Sequence, residues 1–152
     1  MWWNKFIFRI MKLNENPENM FLYHYVEELI SDYGAYYDVN LENQELTIKE
    51  YSVLLRIRFT GKSTQHDLVK LFNVSGAYMA KLLRKFEDEG YIARIENPEN
   101  RRKKIVELTE KGIEKTDKLI KIIDSWEKEI TSDLTEEELI ILKKTLSKIV
   151  CG

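Results

Sequence analysis

The chain has one cysteine, two prolines and six glycines in 152 residues. The lone Cys151 excludes an internal disulfide and any cysteine-rich metal site, and its place beside the C-terminus suits a tail residue better than a sensor. So few helix breakers, set against abundant Leu, Ile, Glu and Lys, favour helices joined by short loops. Histidine is equally sparse: His24 and His66 are the only two, and neither sits in a metal-ligand spacing. No glycine-rich phosphate loop and no serine elbow is present, and the plentiful acids fall at the spacing of solvated helix faces. These absences argue against an enzyme, and no cofactor or metal is expected. Long apolar runs are missing too. The opening Met1–Leu13 is apolar, but Lys5, Arg9 and Lys12 interrupt it. It lacks the marks of a signal peptide and is too short to span a bilayer, so a cytoplasmic chain without a membrane partner is expected. Its spacing permits an amphipathic helix packed on a partner subunit, with attachment to a membrane surface as the alternative.

Charge of one sign is also nearly absent in the total, which is −2, but the charges are segregated along the chain. Residues 15–50 hold nine acids against Lys49 alone, whereas residues 62–104 hold ten bases against six acids. Residues 105–152 return to an acidic balance, eleven acids against eight bases. A field arranged this way lets one face hold phosphate while the remainder repels it. The apolar and charged fractions, 43% and 33%, suit one globular domain with an extension.

Helical spacing of Phe21, Leu22, Tyr25, Val26, Leu29, Ile30, Tyr33, Tyr36 and Tyr37 predicts a long helix over about 18–38. Thr47-Ile48-Lys49-Glu50 is a capping box and opens a helix that buries Tyr51, Leu54, Leu55 and Ile57; Gly61 ends it. A helix from Thr64 has Leu68, Val69, Leu71 and Phe72 on its apolar side, and Asn73-Val74 turns into a helix capped by Ser75. That helix buries Met79, Leu82, Leu83 and Phe86 and stops at Gly90. Residues 91–95 and 104–108 read as two strands around the turn formers Asn97-Pro98-Glu99-Asn100. Thr109 starts a long helix with Ile113, Thr116, Leu119, Ile120, Ile123, Trp126 and Ile130 on one stripe, and the capping box at Thr135 opens the last.

Two short helices, a tight turn and a basic hairpin describe a helix-turn-helix with a wing, a device for holding duplex DNA. In such a unit the start of the second helix faces base edges in the major groove. Here that start presents Gly76, Ala77 and Tyr78, small side chains that let the backbone approach, with Tyr78 suited to a thymine methyl or a phosphate. Lys81, Arg84 and Lys85 suit phosphates; Ser63, Thr64, Gln65 and Ser75 stand at helix starts, where free N–H groups hold anions. The wing cations Arg101, Arg102 and Lys103 fit an adjacent narrow minor groove. The alternative is a winged helix that binds protein and not DNA.

The pattern Thr64-Gln65 with Leu68, Val74-Ser75, Leu82 with Phe86, Gly90-Tyr91-Ile92 with Arg94, residues 97–102 and Leu108-Thr109-Glu110-Lys111-Gly112 resembles the MarR family of winged-helix transcriptional regulators. The resemblance implies a mostly α fold with a small β hairpin (α+β), a winged helix-turn-helix between N- and C-terminal dimerisation helices. It divides the chain into an extension at 1–16, a first dimerisation helix and connection at 17–46, the DNA-binding domain at 47–108 and C-terminal dimerisation helices at 109–152. It also implies a homodimer on a palindromic operator, acting as a repressor that a small phenolic or anionic ligand releases. Arg102 matches the wing arginine that enters the minor groove. Asn100 stands where an aspartate commonly helps to hold that arginine, and Asn97 likewise replaces a common acid. The peroxide-sensing branch carries a cysteine near its N-terminus, and this chain has none there.

Apolar surface supports the dimer independently. Two terminal helices and an aromatic first helix carry more apolar area than a small winged helix can cover, and obligate dimers bury roughly 2,000–5,000 Å². The ring-rich set Tyr23, His24, Tyr25, Tyr33, Tyr36 and Tyr37 reads first as core or interface. A sharper expectation has a subset of them line an effector pocket, with Arg56 or Arg58 supplying a cation.

Overall fold

The computed structural model describes residues 17–40, 46–101 and 103–152. The expectations for residues 1–16, for the connection at 41–45 and for Arg102 lie outside the described residues. The chain divides into two compact units, residues 1–44 and residues 45–152.

In the first unit, a 3-10 turn at Pro17–Asn19 precedes helix α1, Leu22–Asn40. The Tyr25 hydroxyl donates to the Pro17 carbonyl at 2.8 Å, fastening the turn to the helix. Tyr37 is buried, and its ring lies 6.2 Å from that of Tyr33, one turn away. Leu22, Tyr23, Val26, Leu29 and Ile30 are exposed, a broad apolar surface on a single helix, and Phe21 just before it is exposed as well.

The second unit runs α2 (Ile48–Thr60), β1 (Ser63–Thr64), α3 (Gln65–Phe72), α4 (Gly76–Asp88), β2 (Ile92–Glu96), β3 (Lys104–Leu108), α5 (Glu110–Ile130) and α6 (Glu136–Cys151). Most of these helices start where side chains can satisfy free N–H groups. At Thr47 and Thr135 the threonine oxygen accepts from the N3 amide while the N3 glutamate accepts from the cap N–H, as the sequence predicts. Thr64 forms a third box with Asp67. Gly61 follows α2 with φ +73°, a conformation that glycine adopts without the clash of a Cβ. Gly90, φ +76°, ends α4 in a Schellman pair: its N–H bonds the Glu87 carbonyl and that of Tyr91 bonds Phe86.

The expected hairpin is present, with Ile92 opposite Leu108 and Glu96 opposite Lys104. It forms part of a three-stranded antiparallel sheet in the order β1-β3-β2, because Ser63 and Thr64 pair with Val106 and Ile105. The sequence reading opened a helix at this point; two residues are too few to carry an alternating pattern, and their pairing is with strand residues some forty positions later.

The core gathers Leu54 and Ile57 of α2, Leu68 of α3, Met79, Leu83 and Phe86 of α4, Val106 of β3 and Leu119 of α5, all essentially inaccessible. Each such side chain contributes about 1.5–3 kcal/mol by leaving water. On α2 the buried set is Tyr51, Val53, Leu54 and Ile57, so Val53 replaces the expected Leu55, which is half-buried. On α3 the expected apolar side is narrower, since Leu71 is exposed. Along α5 burial is concentrated at Gly112, Thr116 and Leu119. The Thr116 hydroxyl sits within hydrogen-bond range of the Gly112 and Ile113 carbonyls, so its polar group is satisfied inside the core. Helix α6 buries no residue, leaving Ile140, Ile141, Leu142, Leu146, Ile149 and Val150 exposed. Among the described residues no helix is long and apolar enough to cross a membrane.

Candidate nucleic-acid interface

The turn between α3 and α4 is built from three residues. Asn73 closes α3 in the left-handed region at φ +48°, which asparagine tolerates better than most side chains. Val74 bonds back to the Val69 carbonyl, and Ser75 starts α4 with its hydroxyl accepting from the Tyr78 N–H at 3.1 Å. Helix geometry directs the Gly76 and Ala77 N–H groups out of the end of α4.

The two sides of α4 differ sharply. Met79, Leu82, Leu83 and Phe86 are buried, while Gly76, Ala77, Tyr78, Lys81 and Arg84 are exposed. A Cβ added at Gly76 meets nothing within 4 Å, and its φ is not positive, so the isolated fold does not require glycine there. The outward face thus offers open backbone, one phenol and two cations.

The wing is shaped by two successive turns. The Asn97 carboxamide oxygen accepts from the Glu99 N–H at 2.9 Å, and the Asn100 N–H bonds the Asn97 carbonyl. Lys103 N–H then bonds the Asn100 carbonyl, which brackets the exposed Arg101. Lys103 is exposed and lies near the start of α3, where its charge reaches the Asp67 carboxylate. The Thr64 hydroxyl and backbone N–H hold that carboxylate below its ordinary value, burial opposes them, and His66 and Lys103 add to the lowering. Lys103 of the wing and the start of the helix-turn-helix are therefore neighbours.

Several expected contacts have other duties. Ser63 is 6% exposed, with its hydroxyl 2.7 Å from that of Thr60, so it cannot serve a phosphate at the surface. The Thr64 hydroxyl donates to Asp67 and accepts its N–H, which commits it to the cap. Gln65 is half-buried. Lys85 is turned onto Glu50, with its ammonium 3.1 and 3.2 Å from the two carboxylate oxygens. For Ser63, Thr64 and Lys85 the physical cause is the same: a polar group near the core takes an internal partner before it takes a ligand.

The expected effector residues are distributed over the two units. On α1 the Tyr23 hydroxyl donates to Glu27 at 3.0 Å, a bond that, with the carboxylate's charge, raises its pKa. The His24 ring lies 5.6 Å from that of Tyr23. In the second unit Arg56 is exposed, whereas Arg58 pairs with Asp117 at 3.1 Å, joining α2 to α5. That pairing corrects the assignment of Arg58 as a free cation for a ligand. Among the described residues, no group of three or more His, Cys, Asp or Glu side chains could hold a metal ion.

Three contacts that hold this unit together were not anticipated: Glu50–Lys85, Arg58–Asp117, and Arg94 Nε 3.2 Å from Glu87, which ties β2 to α4. The capping box marked Glu50 in the sequence, but only as a partner of Thr47.

A MarR family profile matches residues 46–104, the stretch from the start of α2 to the start of β3. The regulator BilQ of Clostridioides difficile is 26% identical over 118 residues, spanning 78% of this chain and 80% of that one. A crystal structure of MarR superposes with a TM-score of 0.75 at 28% identity, covering 87% of this chain and 90% of the other. The Staphylococcus aureus MepR–DNA complex gives a TM-score of 0.67 at 28% identity, over 87% and 98%. In its helix-turn-helix, its wing and the order of its helices the chain is similar to MarR family proteins, and residues 46–104 match that family's model.

Proposed function

We propose that this chain is a dimeric transcription regulator that binds a specific double-stranded DNA sequence, not an enzyme. The observation that carries the reading is the outward face of α4. Gly76, Ala77, Tyr78, Lys81 and Arg84 lie exposed on a helix whose opposite face is locked into the core. A helix of this kind fits the major groove, its small residues admitting the backbone and its cations meeting phosphates. Arg101, Lys103 and Arg102 then serve the neighbouring minor groove. MepR, a relative of similar fold, has been crystallised on DNA, which supports the same use here. The net charge of −2 is no obstacle, because the bases concentrate in residues 62–104.

A second copy is part of the reading. The apolar residues left exposed on α1 and on α6 are those that a partner would cover. Two copies would present two α4 helices to the two halves of a palindrome.

Selection of bound sequences from a random duplex pool, followed by a salt titration, tests this directly. Enrichment of a palindrome and a log-linear loss of affinity with salt, with a slope near −0.9 per neutralised phosphate, are expected. No enrichment and no duplex affinity at low salt would leave a protein-binding winged helix as the better account.

A further inference from the structure

Glu50 joins two elements that the sequence keeps 35 residues apart. One of its oxygens accepts the Thr47 N–H at 2.8 Å, closing the start of α2, and both face the Lys85 ammonium. The carboxylate is largely sheltered, 18% exposed against 37% for the lysine side chain. Lys85 stands in the third turn of α4, seven residues after Tyr78, and therefore on the same flank of the helix about two turns along. The core residues Met79, Leu82, Leu83 and Phe86 set the roll of α4, and the Lys85–Glu50 tie adds a polar restraint on it from α2. That roll decides whether Ala77, Tyr78 and Lys81 point at a groove or past it.

We propose that Glu50 is a positioning residue for duplex recognition, acting through Lys85, and that Lys85 is an anchor and not a phosphate ligand. The proposal rests on the DNA-binding reading above. Moving Lys85 onto a phosphate would strip a sheltered carboxylate of its counter-charge and turn it toward a polyanion, a doubly unfavourable change. Lys81 and Arg84 are exposed and can meet phosphates without such a loss. The tie also restricts α4 more than a flexible surface pair would, because the same carboxylate is held by the backbone of α2.

The test uses the full chain with two probes, a duplex selected by the wild type and a scrambled duplex of equal length. Lys85→Gln and Glu50→Gln are expected to narrow the ratio of the two affinities about tenfold, while Lys85→Arg keeps it. The salt slope of Lys85→Gln should match the wild type. A slope smaller by about one phosphate would make Lys85 a direct contact and overturn the proposal. So would equal losses on both duplexes, or none. A double-mutant cycle on thermal unfolding with Glu50→Gln and Lys85→Gln reads the tie without DNA; zero coupling overturns it even if the wild type selects a sequence. Clear coupling in a wild type that binds no duplex would instead remove the regulator reading, and the positioning role with it.

Discussion

Gly112 lies directly against the backbone carbonyl of Tyr91, so close that a Cβ on Gly112 would fall inside the oxygen's contact distance. The Leu108 side chain closes the other side, 3.2 Å from that same point. Around this contact, the first residues of α5 take up the carbonyls that follow α4. Lys111 Nζ bonds that of Glu89 at 2.7 Å, the Thr109 hydroxyl that of Gly90, and the Thr109 N–H that of Tyr91 at 3.0 Å. Lys111 and Lys115 also stand over the Tyr91 ring, with Lys115 reaching the Tyr51 ring as well. The end of α4 and the start of α5 are thus joined through backbone atoms, which leaves little freedom between them.

Gly112→Ala is therefore expected to destabilise the fold, although alanine ordinarily favours a helix interior over glycine by up to about 1 kcal/mol. Neither the Tyr91 carbonyl nor the helix backbone can yield cheaply, and forcing a methyl into such a site costs about 1–3 kcal/mol. Urea unfolding should show a lower midpoint with an unchanged slope. An equal or higher midpoint would mean that α5 can shift away from Tyr91 at little cost.

Gly76→Ala should do the reverse. With open space around the added methyl, the helix start gains or keeps its stability, yet the methyl lies on the face offered to the duplex. The unfolding midpoint is expected to stay or rise while affinity for the selected duplex falls. If affinity is unchanged in a variant of full stability, the first turn of α4 does not approach DNA closely.

Lys81 and Arg84 are exposed cations on the α4 face. Replacing either with glutamine should weaken binding to selected and scrambled duplexes alike and reduce the salt slope by about one. Arg102→Ala should instead cost about 1–3 kcal/mol on the selected duplex, most where the flanking minor groove is narrow. Affinity measured across a salt series separates the two classes.

The sequence made the local devices legible. Thr47, Ser75 and Thr135 announced helix starts because a cap depends on residues three apart, and Gly90 announced a stop because its conformation excludes most other side chains. The stripe Met79, Leu82, Leu83 and Phe86 gave the buried face of α4, and with it the outward residues of the candidate site. What stayed hidden depended on partners far along the chain. β1 exists only because β3 offers it an edge, Ser63 is buried for that reason, and Lys85 looked free because nothing near it in sequence signalled Glu50. Leu71 shows the opposite error: its spacing fits the apolar side of α3, but packing turned that side toward Leu68 and left Leu71 in solvent.

Acid should weaken the fold in a defined window. Burial works to raise the Glu50 pKa, but the Thr47 N–H and the Lys85 ammonium outweigh it and hold it below the ordinary 4.5. Hydrogen bonds from Thr64 and Thr135 similarly lower Asp67 and Glu138. A carboxyl with a lowered folded pKa takes up its proton more readily in the unfolded chain. Its contribution is complete above the ordinary value and disappears as pH falls through the folded value. Urea midpoints should be flat above about pH 5.5 and decline below about 4.5. In Glu50→Gln the neutral midpoint should be lower and the acid decline shallower; an identical pH profile would show that Glu50 carries no favourable interaction.

Every residue of α6 remains accessible, and its apolar members Leu142, Leu146, Ile149 and Val150 recur at helical spacing. A sixteen-residue helix with no buried side chain gains little from its own fold beyond its capping box and the ion pair of Lys143 with Glu127. Isolated helices of about that length are marginal in water, so α6 is expected to draw its stability from burial against a second copy. Sedimentation at micromolar concentration should therefore give twice the 18.1 kDa chain mass. Leu146→Glu with Ile149→Glu should yield monomers that lose helix content and bind the selected palindrome far more weakly, because each half-site must then be held alone. A wild type that sediments as a monomer would sever α6 from dimer formation and require another partner for its apolar stripe.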